Sequence, residues 1–215
     1  MDRRSPLGTI ACIWRYPVKS LRGERLDTVR VERDGLEGDR RRALFVTKAD
    51  HARSGKAFRG KEHPLLHTLA TVEAVRALEK AHGLGLEERG DEGRYFDDLP
   101  VSLVLDRWVG ELERLVGMNL DPLRFRPNFF VRGTPDFAEN EAALVGARLE
   151  IGDVQLRVVS PIERCVVPSY DVLTGEATPR VLREIVQHRQ NEMGVYCTVI
   201  VPGTVLAGAA VGVVW

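Results

Sequence analysis

Apolar residues along this 215-residue chain fall mostly in short alternating blocks, with a few stretches where the spacing lengthens to a helical period. Residues 9–16 are rich in β-formers and stop at Pro17, which predicts a strand ended by a turn. Residues 26–33 set Val29 and Val31 against Leu26, Thr28 and Arg30, and Asp34-Gly35 marks the next turn. Residues 43–47 make a short apolar strand, so the first fifty residues predict a β-meander. Leu69, Val72, Val75 and Leu78 then recur every third residue, predicting a helix over 68–82 that stops at Gly83. Residues 84–97 predict a hairpin around Gly90–Gly93. A second helix starts at Asp106 as N-cap, with Trp108, Leu112, Leu115 and Val116 on one side, and Gly117 closes it. Strands return at 128–132, 148–151 and 154–159. A third helix has Thr178 as N-cap, Pro179 at its first position, Leu182, Ile185 and Val186 as its buried face, and Gly194 at its end. The tail, 196–215, alternates strands with turns at Gly203 and Gly208. With no repeat, low-complexity linker or clear boundary, this order predicts an α+β, mostly β chain: one closed or nearly closed barrel over 1–215, with a helical and hairpin subregion at 68–120 packed on it.

Composition narrows the partners. Lys+Arg and Asp+Glu are each 31, giving a formal net charge of +0. Nucleic-acid binders usually carry a basic excess or stripe, and the dense basic run here, Arg40-Arg41-Arg42, reads equally as a solvated turn or an anion site. Nucleic acid is therefore not an expected partner. No apolar run approaches the ~20 residues needed to span a bilayer, so no membrane partner is expected. The first residues carry charges without an apolar stretch and cleavage site, so no signal peptide is expected either. The three cysteines, Cys12, Cys165 and Cys197, stand far apart in an odd number, which fits neither a zinc knuckle nor a disulfide framework. A reducing cytoplasm suits them. No cysteine cluster could hold an iron–sulfur centre, so electrons for a redox role must come from a partner.

Candidate chemistry collects in a few segments. Cys165 lies just past a strand in Pro161-Ile162-Glu163-Arg164-Cys165-Val166-Val167-Pro168, on a loop of the kind that carries functional side chains. Arg164 beside it would favour the thiolate, the form that ligates metals and attacks electrophiles. The alternative is a small buried hydrophobe, the role that Cys12 and Cys197 take inside apolar strands. Lys19 and Ser20 place a cation and a hydroxyl at the end of the first strand, suited to phosphate although the glycines of a P-loop are missing. Arg124 and Arg126 share a face if their segment is extended, and two guanidinium forks there would suit a phosphate or a polar heterocycle, with Asn128 reading an amide-like ring edge. The alternative is an edge strand salt-bridged to nearby acids. His51, His63, His67, His82 and His188 show no convergent metal spacing, and a Cys165–His188 nucleophile pair lacks an oxyanion motif.

Taken in order, these segments resemble the MOSC family, named for the C-terminal domain of molybdenum-cofactor sulfurase. Tyr16-Pro17-Val18-Lys19-Ser20 with Arg22-Gly23 is similar to the entry motif of the amidoxime-reducing component and its short bacterial relatives. Gly35-Leu36 with Gly38-Asp39-Arg40 resembles the next motif, and Arg124-Phe125-Arg126-Pro127-Asn128 the central one. Arg164-Cys165 with Asp171 and Thr174-Gly175 resembles the cysteine loop, and Gly194-Val195-Tyr196, Pro202-Gly203 and Gly208 the closing strands. Departures fall near the cysteine: Ile162 and Glu163 replace a small and a hydroxyl residue, and Pro168 and Ser169 stand where the reductases carry threonines.

The resemblance implies a barrel of the pyruvate-kinase type and a molybdenum cofactor (molybdopterin), with no pyridoxal phosphate. It implies that Cys165 is both the catalytic residue and the molybdenum ligand, which agrees with the preference of soft thiolates for sulfur-rich metal centres. Lys19, Ser20 and Arg42 would hold the phosphate end of the pterin, Arg126 and Asn128 would contact the pterin, and Arg164 would flank the metal. The implied activity is reduction of N-hydroxylated or N-oxide-type small molecules, with electrons from a separate flavoprotein or an iron–sulfur or haem protein. The alternative is a non-catalytic cofactor carrier, or a sulfur carrier holding a persulfide on Cys165.

Overall fold

The computed structural model describes residues 3–48, 55–90 and 93–215. Its strands and helices are β1 Arg4–Arg15, β2 Glu24–Leu26, β3 Thr28–Glu32, β4 Gly35–Leu36, β5 Arg42–Lys48, α1 Val72–His82, β6 Gly85–Gly90, β7 Val101–Leu105 and α2 Asp106–Val116. They continue with β8 Phe129–Gly133, β9 Arg148–Ile151, β10 Val154–Glu163, α3 Arg180–His188, β11 Glu192–Val201, β12 Gly203–Leu206 and β13 Ala210–Val214. The main sheet runs β13-β9-β10-β11-β7-β8-β1-β2, and a further pairing of β13 with β1 closes seven of these strands into a barrel. Closure leaves those seven with neighbours on both sides.

All of the barrel's pairings are antiparallel except β7 with β8. A parallel pair needs a crossover, and α2 supplies it. This helix buries Trp108, Val109, Leu112 and Val116 against the barrel. Because β7 lies under α2 and inside the sheet, all five of its residues are buried. Its sequence, Val101-Ser102-Leu103-Val104-Leu105, thus shows no apolar–polar alternation with exposure, and for that reason it escapes a period-two search.

A second apolar cluster, which includes Val18, Leu21, Leu44, Phe58, Leu66, Val75 and Leu86, lies under the two-stranded sheet of β5 and β6 and under α1. The expected meander is therefore redistributed. Of the first strands, β1 and β2 join the barrel sheet, β3 lies between β12 and β4 in a separate sheet, and β5 pairs with β6. The expected hairpin at 84–97 is likewise absent among the described residues, because β6 finds its partner in β5; residues 91 and 92 at its tip lie outside the described set. The expectation for His51 also falls outside it.

The helices keep their places with shifted ends. α1 begins at Val72, after Thr71 caps it by accepting from the Ala74 N–H at 3.2 Å. α3 begins after Pro179, buries Val181 and Ile185, and ends at His188, well before Gly194. Val186, expected inside, is 52% exposed, because α3 is only two turns long and meets the barrel along a narrower stripe. Among the described residues no helix is long and apolar enough to cross a membrane.

Candidate functional site

A cavity of about 290 Å³ opens between the barrel and the second cluster. One wall carries Lys19, Ser20, Arg40, Arg59, Gly60, Lys61, His67 and Asp97. The other carries Ser102, Arg124, Phe125, Arg126, Ile162, Glu163, Arg164, Cys165, Val167, Pro168 and Tyr196. Seven cations thus face two carboxylates, Asp97 and Glu163, in a chain with no net charge. Such a concentration of positive charge suits an anionic ligand.

The backbone bends unusually to present these groups. Among the described residues, five non-glycine ones have positive φ, and three of them, Ser20 at 72°, Arg40 at 49° and Arg126 at 52°, line this one cavity. Strain of this kind persists where surrounding structure holds it, and it gathers at functional sites. The Ser20 turn is held by Gly60, whose N–H donates to the Ser20 Oγ at 3.1 Å, and by the Lys19 N–H donating to the Arg42 carbonyl at 2.7 Å. The Lys19 Nζ lies 2.5 Å from the Asp97 carboxylate.

Arg40 and Arg126 enclose the buried ring of Tyr16, their guanidinium carbons 4.6 and 4.4 Å from its centroid. Arg40 is neutralised by the buried Asp39 at 2.5 Å, and the other oxygen of that carboxylate accepts from the Tyr16 N–H at 2.7 Å. Arg126 has no carboxylate within ion-pair distance among the described residues, and its Nη2 is buried without a partner, as is the Nε of Arg124. Burial pulls Arg126 down to about 10 and Arg164 likewise to about 10, so both stay cationic at neutral pH.

Cys165 is exposed, free and two residues past the end of β10. The guanidinium of Arg164 turns inward: its Nε donates to the Met193 carbonyl at 2.8 Å, its Nη1 to the Phe125 carbonyl at 2.9 Å, and its Nη2 also to Met193. Arg164 therefore ties the cysteine loop to β11. Asp171 shapes the rest of the loop, its Oδ1 accepting from the Leu173 and Thr174 N–H groups at 2.9 and 3.0 Å and its Oδ2 pairing with Arg124 at 2.9 Å. At Gly175 (φ 73°) a Cβ would meet the Leu65 Cδ2 at 2.6 Å, so only glycine lets this loop lie against the 63–67 segment. Across that contact His67 stacks on Tyr170, with ring centroids 5.5 Å apart.

Of the residues expected at the site, Lys19, Ser20, Arg126, Arg164 and Cys165 line the cavity. Asn128 lies beneath it, 1% exposed, its Nδ2 donating to the Trp14 carbonyl at 3.2 Å and its Oδ1 accepting from the Ser102 N–H at 3.0 Å. With those bonds made, Asn128 positions β1 against β7 and is not free to read a ligand edge. Arg42 does not join the group: its side chain pairs with Glu88 at 2.8 Å on the sheet of β5 and β6. Arg40 occupies the cavity instead, because the turn at Gly38-Asp39 inverts at its left-handed backbone. The extended segment expected for Arg124 and Arg126 is a 3-10 turn, Pro122–Phe125, capped by Asp121, yet both arginines reach the same cavity. Cys197 is fully buried, and burial pushes its thiol up to about 12, whereas Cys12 is half-buried. Arg59, Lys61, His67 and Asp97 entered no sequence motif; they come from segments whose approach to the cysteine is purely tertiary. His188 lies away from the cavity, 3.4 Å from Glu184.

The chain is similar to known proteins. The chain is 32% identical over 126 residues to the molybdenum cofactor sulfurase of Caenorhabditis briggsae, covering 56% of this chain and 17% of that protein. It is 30% identical over 111 residues to mitochondrial amidoxime-reducing component 1 of Danio rerio, covering 52% of this chain and 32% of that one. The chain thus spans less than a third of the length of either relative. In three dimensions the YUAD protein from Bacillus subtilis superposes with a TM-score of 0.60 at 19% identity, over 100% of this chain and 98% of that one, which is a likeness of fold. The family model for the MOSC N-terminal beta barrel domain matches residues 7–96 and that for the MOSC domain matches residues 91–212, so this chain belongs to the MOSC family.

Proposed function

We propose that this protein binds the molybdenum cofactor in the cavity, with Cys165 as the protein ligand to the metal, and that it reduces N-hydroxylated or N-oxide-type substrates using electrons from a separate redox protein. The observation that carries this reading is an exposed thiol sharing one cavity with seven cations, two of which keep buried nitrogen atoms without partners. Those orphaned donors fit an anionic, heterocyclic ligand: a phosphate takes charge-assisted hydrogen bonds and a pterin edge takes guanidinium forks. Lys19, the Ser20 turn and Arg40 would hold the phosphate end, Arg126 and Arg124 would meet the ring system, and Arg164 would fix the loop that presents the thiol. When bound, the cofactor supplies two-electron redox chemistry that no side chain here can perform.

The protein's own share is to neutralise the ligand, exclude water with Phe125 and Ile162, and hold the cysteine at a set position through Arg164 and Asp171. Similarity to a molybdenum cofactor sulfurase favours a second reading, in which the exposed Cys165 carries sulfur or the protein delivers the cofactor.

Expression in a host that makes the cofactor tests the first reading. Wild type retains stoichiometric molybdenum and pterin, Cys165→Ala loses the metal, and Cys12→Ala and Cys197→Ala keep it. Full metal retention by Cys165→Ala would overturn the ligand assignment. Turnover of an amidoxime with an artificial electron donor then separates reductase from carrier, and persulfide labelling of Cys165 reports the sulfur-carrier alternative.

A further inference from the structure

Tyr196 is a polar group in the cavity that the protein leaves unpaired. It sits in β11, opposite Ser102 of β7 and Ser160 of β10, and lines the cavity together with Cys165. Its hydroxyl makes no hydrogen bond among the described residues. Tyr196 is partly buried, in contrast to Tyr16, whose fully buried hydroxyl donates to the Pro127 carbonyl at 3.0 Å. The backbone that places Tyr196 is tightly set. Two residues earlier, Gly194 has φ 85° and comes so close to β7 that a Cβ would lie 2.8 Å from the Leu103 carbonyl oxygen. The Gly194 N–H is also held at 3.1 Å by the buried carboxylate of Glu141. Arg164, Asp97, Arg40 and Asp98 face the phenol, and burial, the largest influence, raises it above its ordinary value, so it keeps its proton at working pH.

We propose that Tyr196 is the proton donor in this cavity: its phenol O–H bonds to the oxygen of a bound N–O substrate and protonates that oxygen as it departs. The inference rests on the reductase reading. The overall change is C=N–OH plus two electrons and two protons giving C=NH and water. The N–O bond breaks, one proton passes from Tyr196 to the departing oxygen, the other reaches nitrogen from solvent, and the phenolate recovers its proton from solvent. The two electrons come from an external reductant, a partner redox protein or dithionite. A proton donor is what a leaving hydroxide needs, since an unprotonated one is a poor leaving group.

The test uses the cofactor-loaded protein. Tyr196→Phe keeps its molybdenum and pterin content, and its kcat for benzamidoxime falls by about a hundredfold or more with KM changed far less. In oxidised protein without reductant, where nothing turns over, calorimetry reads binding alone: Tyr196→Phe binds benzamidoxime about threefold to tenfold more weakly, but binds benzamidine, which lacks the oxygen, as wild type does. A kcat within threefold of wild type, or equal loss of affinity for both ligands, would overturn the proposal. If the phenylalanine variant does not fold, 3,5-difluorotyrosine at position 196 preserves shape and donates more readily; it keeps or exceeds the wild-type kcat, and a large loss would count against proton donation. Loaded wild type that reduces no N–O substrate would sink the reductase reading, while the binding comparison still decides whether Tyr196 meets the ligand oxygen.

Discussion

The barrel wall of the cavity and the wall built on the second apolar cluster hold their polar side chains by different means. On the barrel side, β7 and β11 have hydrogen-bonded neighbours on both edges, and the guanidinium of Arg164 is fastened to main-chain carbonyls. On the other side, support comes from the two-stranded sheet of β5 and β6, from left-handed turns at Ser20 and Arg40, and from an ion pair between Lys19 and Asp97. Asp97 is 76% exposed, so its hold on Lys19 is the weak, exchangeable kind that a ligand anion can replace. A two-stranded sheet is only marginally stable by itself and leans on its packing. The thiol and the partnerless nitrogens of Arg124 and Arg126 thus share the barrel wall, while Lys19 and Arg40 on the facing wall are paired with Asp97 and Asp39.

Paired glycine substitutions break the comparison most directly. Gly194→Ala forces a Cβ to within 2.7 Å of the Val104 Cγ2 and 2.8 Å of the Leu103 oxygen at a positive φ, in the barrel wall. The expected loss is about 3–5 kcal/mol in denaturant unfolding, combining overpacking and backbone strain. Gly83→Ala, at the end of α1, keeps the positive φ of 62° but meets nothing within 4 Å, so about 1 kcal/mol is expected. Equal losses would show that the two walls are equally constrained.

The arginines sharpen the contrast at the ligand. Arg126→Gln removes an unpaired buried cation from the cavity and should cut cofactor retained after dialysis by about tenfold or more. Arg42→Gln, which breaks only a largely exposed pair with Glu88, should leave retention at the wild-type level. A loss at Arg42 matching that at Arg126 would contradict the cavity assignment.

The smallest effect is a pH dependence at the contact between the walls. Burial, then Arg126 and Arg124, hold His67 down to about 4 from an ordinary 6.5. Between those values the folded chain binds fewer protons than the unfolded one, so this contribution is complete above pH 6.5 and is lost as pH falls toward 4. Wild type should therefore lose about 5 °C more in Tm than His67→Phe between pH 7 and pH 4.5. The phenyl ring keeps a stacking surface for Tyr170 but cannot ionise. Parallel losses in the two proteins would show that His67 is not the group responsible.

Much of this was legible before folding. β-former content marked β1, strands were placed at β9 and the start of β10, and Gly83 and Gly117 closed the first two helices, because turn chemistry and amphipathic period are local properties. The ordered motifs carried the family, and five of the site residues expected from them line the cavity. Local pattern could not give strand partners. It joined the early strands into a meander and made a hairpin of β6, since pairing depends on which edges meet in space. It missed β7 because burial on both faces erases alternation. At the site, the sequence by itself pointed to Cys165, Lys19, Ser20 and Arg126, which line one cavity. Only the tertiary structure exchanged Arg42 for Arg40, withdrew Asn128 into a closed hydrogen-bond set, and brought His67, Asp97 and Tyr196 to the same cavity. The physical reason is that a left-handed turn reverses the direction of the next side chain, and barrel closure joins segments far apart in the chain; neither is written in the spacing of residues along it.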